Sequence, residues 1–441
     1  MNRTIAAATL VVAGAWARAA SAETSPETSD HKIGATECAR PADADVVVRC
    51  ALAASPEVRI ARAQADAAAG RRQTAGVLLP ANPTVIGVAS NRRRPPPEAA
   101  SVLNWSIALS QELELAGQRG ARIDEADAAL GAQTRRAKVA EQEVAAAALA
   151  AYYEALAAQE AQRFATQLAA TAQALATYAE ARAKEALVAG VEADVARSEA
   201  ARIGLTRFEA ERRVSDARAA LGLLLDVDPA RLVLPDALPA APAPALPAGS
   251  ALEDQALALR GEIAAAEMER QILERRLAVV RRERVPNPTL SAFLERGEIN
   301  DRIIGVGLSF PLPLPSPVGR SRAGEIAETL AQIRAAESSQ ELVRRRVRME
   351  VARALAAFKS RSAAATLFAR DLVGRAQTDL SSLREAISSR QLTLREGLQW
   401  QRSLIEMLQA DIDVRLGQAL TWVELRRVVG LPLAETSGGA R

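Results

Sequence analysis

The side chains able to do chemistry are few, and their spacing excludes most of it. His31 is the only histidine, and Cys38 and Cys50 are the only cysteines. His31 lies in a polar leader of the chain, so neither a histidine-based triad nor a zinc site can be built around it. Met1, Met268, Met349 and Met407 are scattered, which disfavours a thioether relay for soft metals. There is no Gly-x-x-x-x-Gly-Lys-(Ser/Thr) loop and no Gly-x-Gly-x-x-Gly after a strand. The expectation is a protein that is not an enzyme, with no catalytic residues, no cofactor and no metal ligands. One chemistry stays open. Cys38 and Cys50 can close a small disulfide loop in an oxidising compartment or remain two free thiols, and a shared metal is the third reading.

Charge excludes a further class. The 56 Lys and Arg against 53 Asp and Glu give a formal net charge of +3. The two signs are interspersed along the helical stretches and aromatics are only 3% of the chain. This describes a solvated surface without platforms for base stacking, so no nucleic-acid partner is expected.

The first residues read as a secretory signal over 1–22. Arg3 supplies a positive start, Ile5 to Ala17 an apolar run too short to span a bilayer, and Ala20-Ser21-Ala22 a small-residue cleavage site. A leader over 23–46 follows. Removing Arg3 and Arg18 lowers the charge from +3 to +1, and no later run of 18 apolar residues offers a transmembrane helix. No cysteine stands at the cleavage point to carry a lipid anchor.

Around this sparse chemistry the chain says the same thing twice. Leu79-Pro80-Ala81-Asn82-Pro83-Thr84-Val85 answers to Arg284-Val285-Pro286-Asn287-Pro288-Thr289-Leu290 at an offset of 205 residues. Glu143-Val144-Ala145 answers to Glu350-Val351-Ala352, and Leu221-Gly222-Leu223 to Val429-Gly430-Leu431. The repeats cover 47–228 and 250–433, joined by a Pro/Ala-rich linker over 229–249 and followed by a tail over 434–441. In the first, helices are expected near Val47–Leu78, Gln118–Val188 and Val191–Leu225, with strands near Thr84–Ser90 and Val102–Leu113. In the second, helices are expected near Ser250–Arg282, Arg320–Ser389 and Gln391–Val429, with strands near Thr289–Arg296 and Arg302–Leu312. A 70-residue helix reaches about 105 Å, far longer than a globular core, so such helices must lie side by side in a bundle or cylinder.

The strands alternate. Trp105, Ile107 and Leu109 face one way and Ser106, Ala108 and Ser110 the other; Ile304, Val306, Leu308 and Phe310 oppose Ile303, Gly305, Gly307 and Ser309. An ordinary soluble hairpin has this pattern too, but export, the missing membrane helix and the duplication favour strands of a membrane barrel. Four strands cannot close in lipid, because an open edge leaves unpaired N–H and C=O groups. The chain is therefore expected to oligomerise. Between the first two strands, Arg92-Arg93-Arg94-Pro95-Pro96-Pro97 reads as an exposed loop, either merely solvated or touching anionic lipopolysaccharide.

Asn82-Pro83-Thr84 followed by Leu109-Ser110-Gln111-Glu112-Leu113-Glu114-Leu115-Ala116-Gly117-Gln118-Arg119-Gly120-Ala121-Arg122-Ile123, and Asn287-Pro288-Thr289 followed by Gly305-Val306-Gly307-Leu308-Ser309-Phe310-Pro311-Leu312 and Gly324-Glu325-Ile326-Ala327, resemble the TolC family of outer-membrane efflux proteins, and within it the CzcC-like heavy-metal branch. The resemblance covers roughly Val46 to Leu433. It implies a mainly α protomer with a small β portion, a homotrimer closing a 12-stranded barrel in the outer membrane, and a long periplasmic α-helical barrel. The implied function is the exit duct of a tripartite, proton-driven efflux system. The implied partners are a periplasmic adaptor, an inner-membrane RND-type pump and outer-membrane lipid, with heavy-metal cations as cargo. A duct for drugs or organic compounds is the alternative cargo reading. A periplasmic coiled-coil scaffold that never enters the membrane is the alternative of another class.

By the same resemblance, the two helix-turn-helix corners are where the duct is gated and gripped. Glu396 matches an acidic ring at the constriction, Gln399 stands where some relatives have a second acid, and Asp194 is the third gate candidate. Three carboxylates around a threefold axis would attract cations and repel one another. A solvated helix-surface glutamate is the plain alternative for Glu396. Gly190, Glu192, Arg390 and Thr393 are the candidate adaptor contacts; Gly190 is also read as the turn glycine, and Arg390 replaces a glycine usual in the family.

Overall fold

The computed structural model describes residues 35–93, 101–239, 247–296, 301–314, 318–319, 321–367 and 393–433. The signal segment, His31, Arg94 to Pro97, Arg390 and the tail lie outside the described residues.

The first repeat opens with α1 (Ala35–Ala39) and α2 (Ala44–Ala54), continues through α3 (Pro56–Ala75), β1 (Thr84–Arg93) and β2 (Ser101–Glu112), and ends with α4 (Gln118–Lys184) and α5 (Gly190–Leu225). The second runs through α6 (Gly249–Leu259), α7 (Gly261–Arg282), β3 (Thr289–Arg296), β4 (Arg302–Ser309), α8 (Ala323–Ala365) and α9 (Leu394–Val429).

The opening helix expected in each repeat is two helices. Ser55 accepts from the Val58 N–H and Pro56 takes the first helical position, where its missing N–H costs nothing, so α2 ends and α3 begins there. In the second repeat the break falls at Arg260, in extended backbone between α6 and α7. Its guanidinium, 6% exposed, is held by Glu262 and by Glu350 of α8. Gly261 follows because α7 crosses α4 closely: a Cβ there would overlap the Val139 side chain.

α4 has 67 residues, about 100 Å of helix. Its buried positions recur every three or four residues, as in Leu168, Ala172, Leu175, Ala176 and Ala179, so one small-residue face runs along it. Against that face lie α5 and α9. Leu168 joins Ile203 and Leu404 in one cluster, while Leu156 joins Leu221 and Ile412 further along. Both partner helices therefore run antiparallel to α4 and parallel to each other. A separate cluster joins Leu252 of α6, Val351 and Phe358 of α8 and Val428 of α9. The described part of the linker is anchored rather than free. Leu232, Leu234 and Leu238 are buried, and Glu160 of α4 accepts from the Leu238 N–H and pairs with Arg415 of α9.

The four strands form one antiparallel sheet in the order β1-β2-β3-β4. The register carries rows straight across it: Val85, Leu109, Ala292 and Val306 form one row and Gly87, Ile107, Leu294 and Ile304 the next. This is the mainly helical architecture with a small sheet that the sequence implies.

Candidate functional site

Two regions of the fold could carry function: the sheet, and the opposite end where α5 and α9 begin.

The sheet gathers its apolar residues on one face. Val85, Ile107, Leu109, Leu290, Leu294, Ile304, Val306 and Leu308 all share it and are all exposed. The other face carries Ser106, Ala108, Ser110, Ser291, Gly305, Gly307 and Ser309, joined by Ile86, Val88, Phe293 and Ile303. Along β4, Gly305 and Gly307 are less exposed than Ile304, Val306 and Leu308, the pattern of a sheet curled toward its small-residue side. The Phe293 ring lies where a Cβ on Gly305 would sit, so that glycine makes room for the only large aromatic of the inner rows. Among the described residues nothing pairs with the outer edges of β1 and β4.

The quoted motif residues meet where sheet turns into helix. Gln118, 2% exposed, donates to Asn287 Oδ1 at 2.8 Å, and Asn287 Nδ2 donates to Glu112 at 2.8 Å. The Leu113 N–H donates to the Pro288 carbonyl, and Arg122 pairs with the buried carboxylate of Glu114. The sequence marked these positions as a signature; their contacts show that they lock the two repeats together at the strand–helix junction.

At the far end, Thr393 and Glu396 form a capping box at the start of α9. The Glu396 N–H donates to Thr393 Oγ1 at 3.3 Å, while the Thr393 N–H and hydroxyl donate to Glu396 Oε2 at 2.9 and 2.8 Å. These bonds from Thr393 hold the Glu396 carboxyl below its ordinary range, so it is charged and already oriented at the helix N-terminus. The Thr-x-x-Glu spacing was the signal in the sequence that would have found this. Gln399 is exposed on the same helix.

Glu192 and Asp194 lie in the first turns of α5, both exposed. Asp194 pairs with Arg197 at 3.6 Å, and Arg197 reaches Glu180 of α4 at 2.7 Å. The turn between α4 and α5 corrects one reading. Gly190 is the first residue of α5, not the turn residue; the left-handed position is Ala186, φ 58°, and the Leu187 N–H closes the helix end onto the Arg182 carbonyl.

Missed altogether by the sequence was a charged clamp between α5 and α9. Glu199 is 5% exposed and receives forked guanidinium bonds from Arg202 and from Arg402. These bonds pull its carboxyl down to about 2. Glu199 is the tenth residue of α5 and Arg402 the ninth of α9, so the two helices begin level and the gate candidates of both repeats share one end. Beside the clamp, Gln401 is fully buried with neither amide atom hydrogen-bonded.

Cys38 and Cys50 form a disulfide, Cα atoms 5.7 Å apart, buried in the cluster with Val47, Tyr152 and Leu232. Among the described residues no group of three or more His, Cys, Asp or Glu side chains could hold a metal ion, and no helix is long and apolar enough to cross a membrane.

Comparison with solved structures places this architecture. The outer-membrane channel OprN superposes with a TM-score of 0.72 at 20% identity, covering 89% of this chain and 90% of that one. This is a TolC-like outer-membrane channel fold. VceC, an outer membrane protein of Vibrio cholerae, gives 0.70 at 16% identity over 88% and 96% of the two chains. CusC, described with transmembrane channel formation, gives 0.69 at 15% identity over 88% and 92%. No family model matches the chain, and no curated protein matches it.

Proposed function

We propose that the protein is the outer-membrane exit duct of a tripartite efflux system. The observation that carries this is the sheet: one exposed apolar face across all four strands, flanked by two edges without neighbours among the described residues. In lipid each unsatisfied backbone group costs several kcal/mol, so further copies must complete the sheet. A homotrimer brings 12 strands, a size within the range of outer-membrane barrels, and its small-residue faces line the lumen. The α4 helices and their partners then continue the lumen as a periplasmic tube about 100 Å long. The shared fold with solved outer-membrane channels supports this reading.

At the tube's free end, Glu396, Gln399 and Asp194 form the gate and Gly190, Glu192 and Thr393 meet the periplasmic adaptor, which links the duct to an inner-membrane RND-type pump. Heavy-metal cations are the cargo; the CzcC-like motifs support that choice, and a ring of charged Glu396 carboxylates suits cations. Ions would pass through water without a resident site.

The test is expression of the full chain in an outer-membrane-bearing host, followed by membrane fractionation, cross-linking and bilayer conductance. A cross-linked trimer in the outer membrane with cation-selective conductance, reduced in selectivity by Glu396→Gln, is expected. A water-soluble monomer with no affinity for bilayers or detergent would overturn the duct. Deletion followed by growth on zinc, cobalt, cadmium, nickel, copper and silver tests the cargo; lost tolerance to dyes or detergents alone reassigns it to organic compounds.

A further inference from the structure

The two outer edges of the sheet are complementary in direction. β1 and β3 run one way and β2 and β4 the other, so β1 of a second copy placed beside β4 continues the antiparallel order. Closure then restricts the register at that seam. A ring of 12 strands tilted about 35–45°, spaced about 4.8 Å and rising about 3.3 Å per residue needs a total offset of about 12–17 residues, or about 4–6 at each of three equal seams. An odd offset would set the apolar residues of β4 beside the small-residue face of β1, so the offset is even.

Its direction follows from chirality. The Leu113 N–H donates to the Pro288 carbonyl, which by alternation makes Ile107 and Leu294 a hydrogen-bonded pair. Viewed with the apolar face forward and β3 running upward, an L residue at Leu294 aims its backbone bonds to the right. β2 therefore lies to the right of β3, and the added copy to the left of β4. Right-handed twist leans barrel strands up to the right, so rows perpendicular to them climb toward the added copy. The row Val85, Leu109, Ala292 and Val306 thus arrives above Val85 on the next β1. An offset of six residues carries Arg302 and Ile303 past Arg93, the last residue of β1, whereas four keeps all of β4 within it.

We propose that β4 pairs with β1 of a second copy at an offset of four residues, Val306 beside Ala89 of the partner subunit and Ser309 beside Ile86 of the partner subunit. This rests on the reading that three copies close a 12-stranded barrel. In this register Leu308 meets Gly87 of the partner subunit and Gly307 meets Val88 of the partner subunit, so each of these pairs joins a larger side chain to a smaller one. Ile86 and Val88, exposed apolar exceptions on the small-residue face, are then seated over Ser309 and Gly307, as Phe293 is seated over Gly305 within the chain.

The test is disulfide trapping in the full chain, expressed in an outer-membrane-bearing host; its native cysteines are already closed in the Cys38–Cys50 bond. Ser309→Cys is combined with Ile86→Cys, or with Thr84→Cys or Val88→Cys, which read the neighbouring even offsets. Ser309 and Ile86 form a non-hydrogen-bonded pair in the proposed seam, Cα atoms about 4.5 Å apart and within disulfide reach. In one chain they stand on opposite edge strands, so any bridge joins two copies. Envelopes are oxidised with copper-phenanthroline and the bridged chains read on non-reducing gels. Ile86→Cys is expected to cross-link at least fivefold better than either alternative, and Ser309→Cys alone not at all. Val306→Cys/Ala89→Cys reads the same register on the apolar face and decides the matter if the first pair disturbs assembly. Equal yields, or a maximum at Thr84→Cys or Val88→Cys, overturn the register and leave the duct standing. Trimers that form without any bridge overturn the β4–β1 seam alone. A wild-type chain that stays a water-soluble monomer overturns both this inference and the duct.

Discussion

Glu199 of α5 and Arg402 of α9, 203 positions apart in the chain, face each other through two hydrogen bonds, from Nε to Oε1 at 3.1 Å and from Nη2 to Oε2 at 2.9 Å. The bond ties the return helix of one repeat to that of the other near the end where the candidate gate residues lie. Because Arg202 grips the same carboxylate, the buried charge is shared between two guanidiniums that are themselves largely exposed.

That clamp has a definite pH signature. The folded carboxyl sits at about 2, against 4.5 ordinarily, so folding favours the ionised form. Its contribution is fully present above about pH 4.5 and is lost as pH falls through the window down to about 2. Glu199→Gln should remove it at neutral pH, at a cost between the ~1 kcal/mol of an exposed pair and the ~3 kcal/mol of a buried one. Thermal melts from pH 7 down to about pH 2 should bring the two proteins progressively together, the gap closing only at the acid end of that window. Parallel curves with a constant gap would refute the assignment.

Gln401 offers the opposite experiment. Its amide is fully buried without a hydrogen bond, one turn from Leu404 and two from Leu408 in an apolar cluster. Gln401→Met keeps the length of the chain and removes the desolvated amide, and should raise stability by about 1–2 kcal/mol. Chemical denaturation of the two proteins checks the sign; a destabilised variant would mean that the amide has a partner in the assembled protein.

The sheet register makes a two-sided prediction. Val306 belongs to the exposed apolar face, and Ser110 to the small-residue face opposite Thr84 and Ser291. Val306→Lys, like a charge at Ile107, should cost about 2–4 kcal/mol of barrel stability in a membrane and block assembly, whereas Ser110→Lys should assemble normally. Membrane fractionation reads both. If both variants assemble, the apolar face does not meet lipid, and a periplasmic scaffold becomes the better account.

Ala186 holds a left-handed backbone at φ 58° with a Cβ that disfavours it. Ala186→Gly should stabilise the α4–α5 turn by about 1 kcal/mol. Gly190→Ala should be tolerated, since nothing lies within 4 Å of the added Cβ. Melting temperatures that move the other way would return the turn to Gly190.

The sequence by itself determined the duplication, the long helices and the alternation of the strands. Each of these is a periodic property of neighbouring residues: small residues every third or fourth position in α4, apolar residues every second position in β4. It also showed how little catalytic chemistry the side chains can supply. Helix ends were less legible, because Pro56 breaks a continuous pattern at one residue and Arg260 breaks its counterpart without any proline at all. Only the tertiary structure decided what meets across the repeats. The pairing of β2 with β3 aligns Ile107 with Leu294, and the α5–α9 clamp aligns Glu199 with Arg402; in both cases the partners lie more than 180 residues apart. No local spacing encodes such a meeting. It follows from how two helices settle on the small-residue face of a third, and from which edges of two hairpins are left to pair.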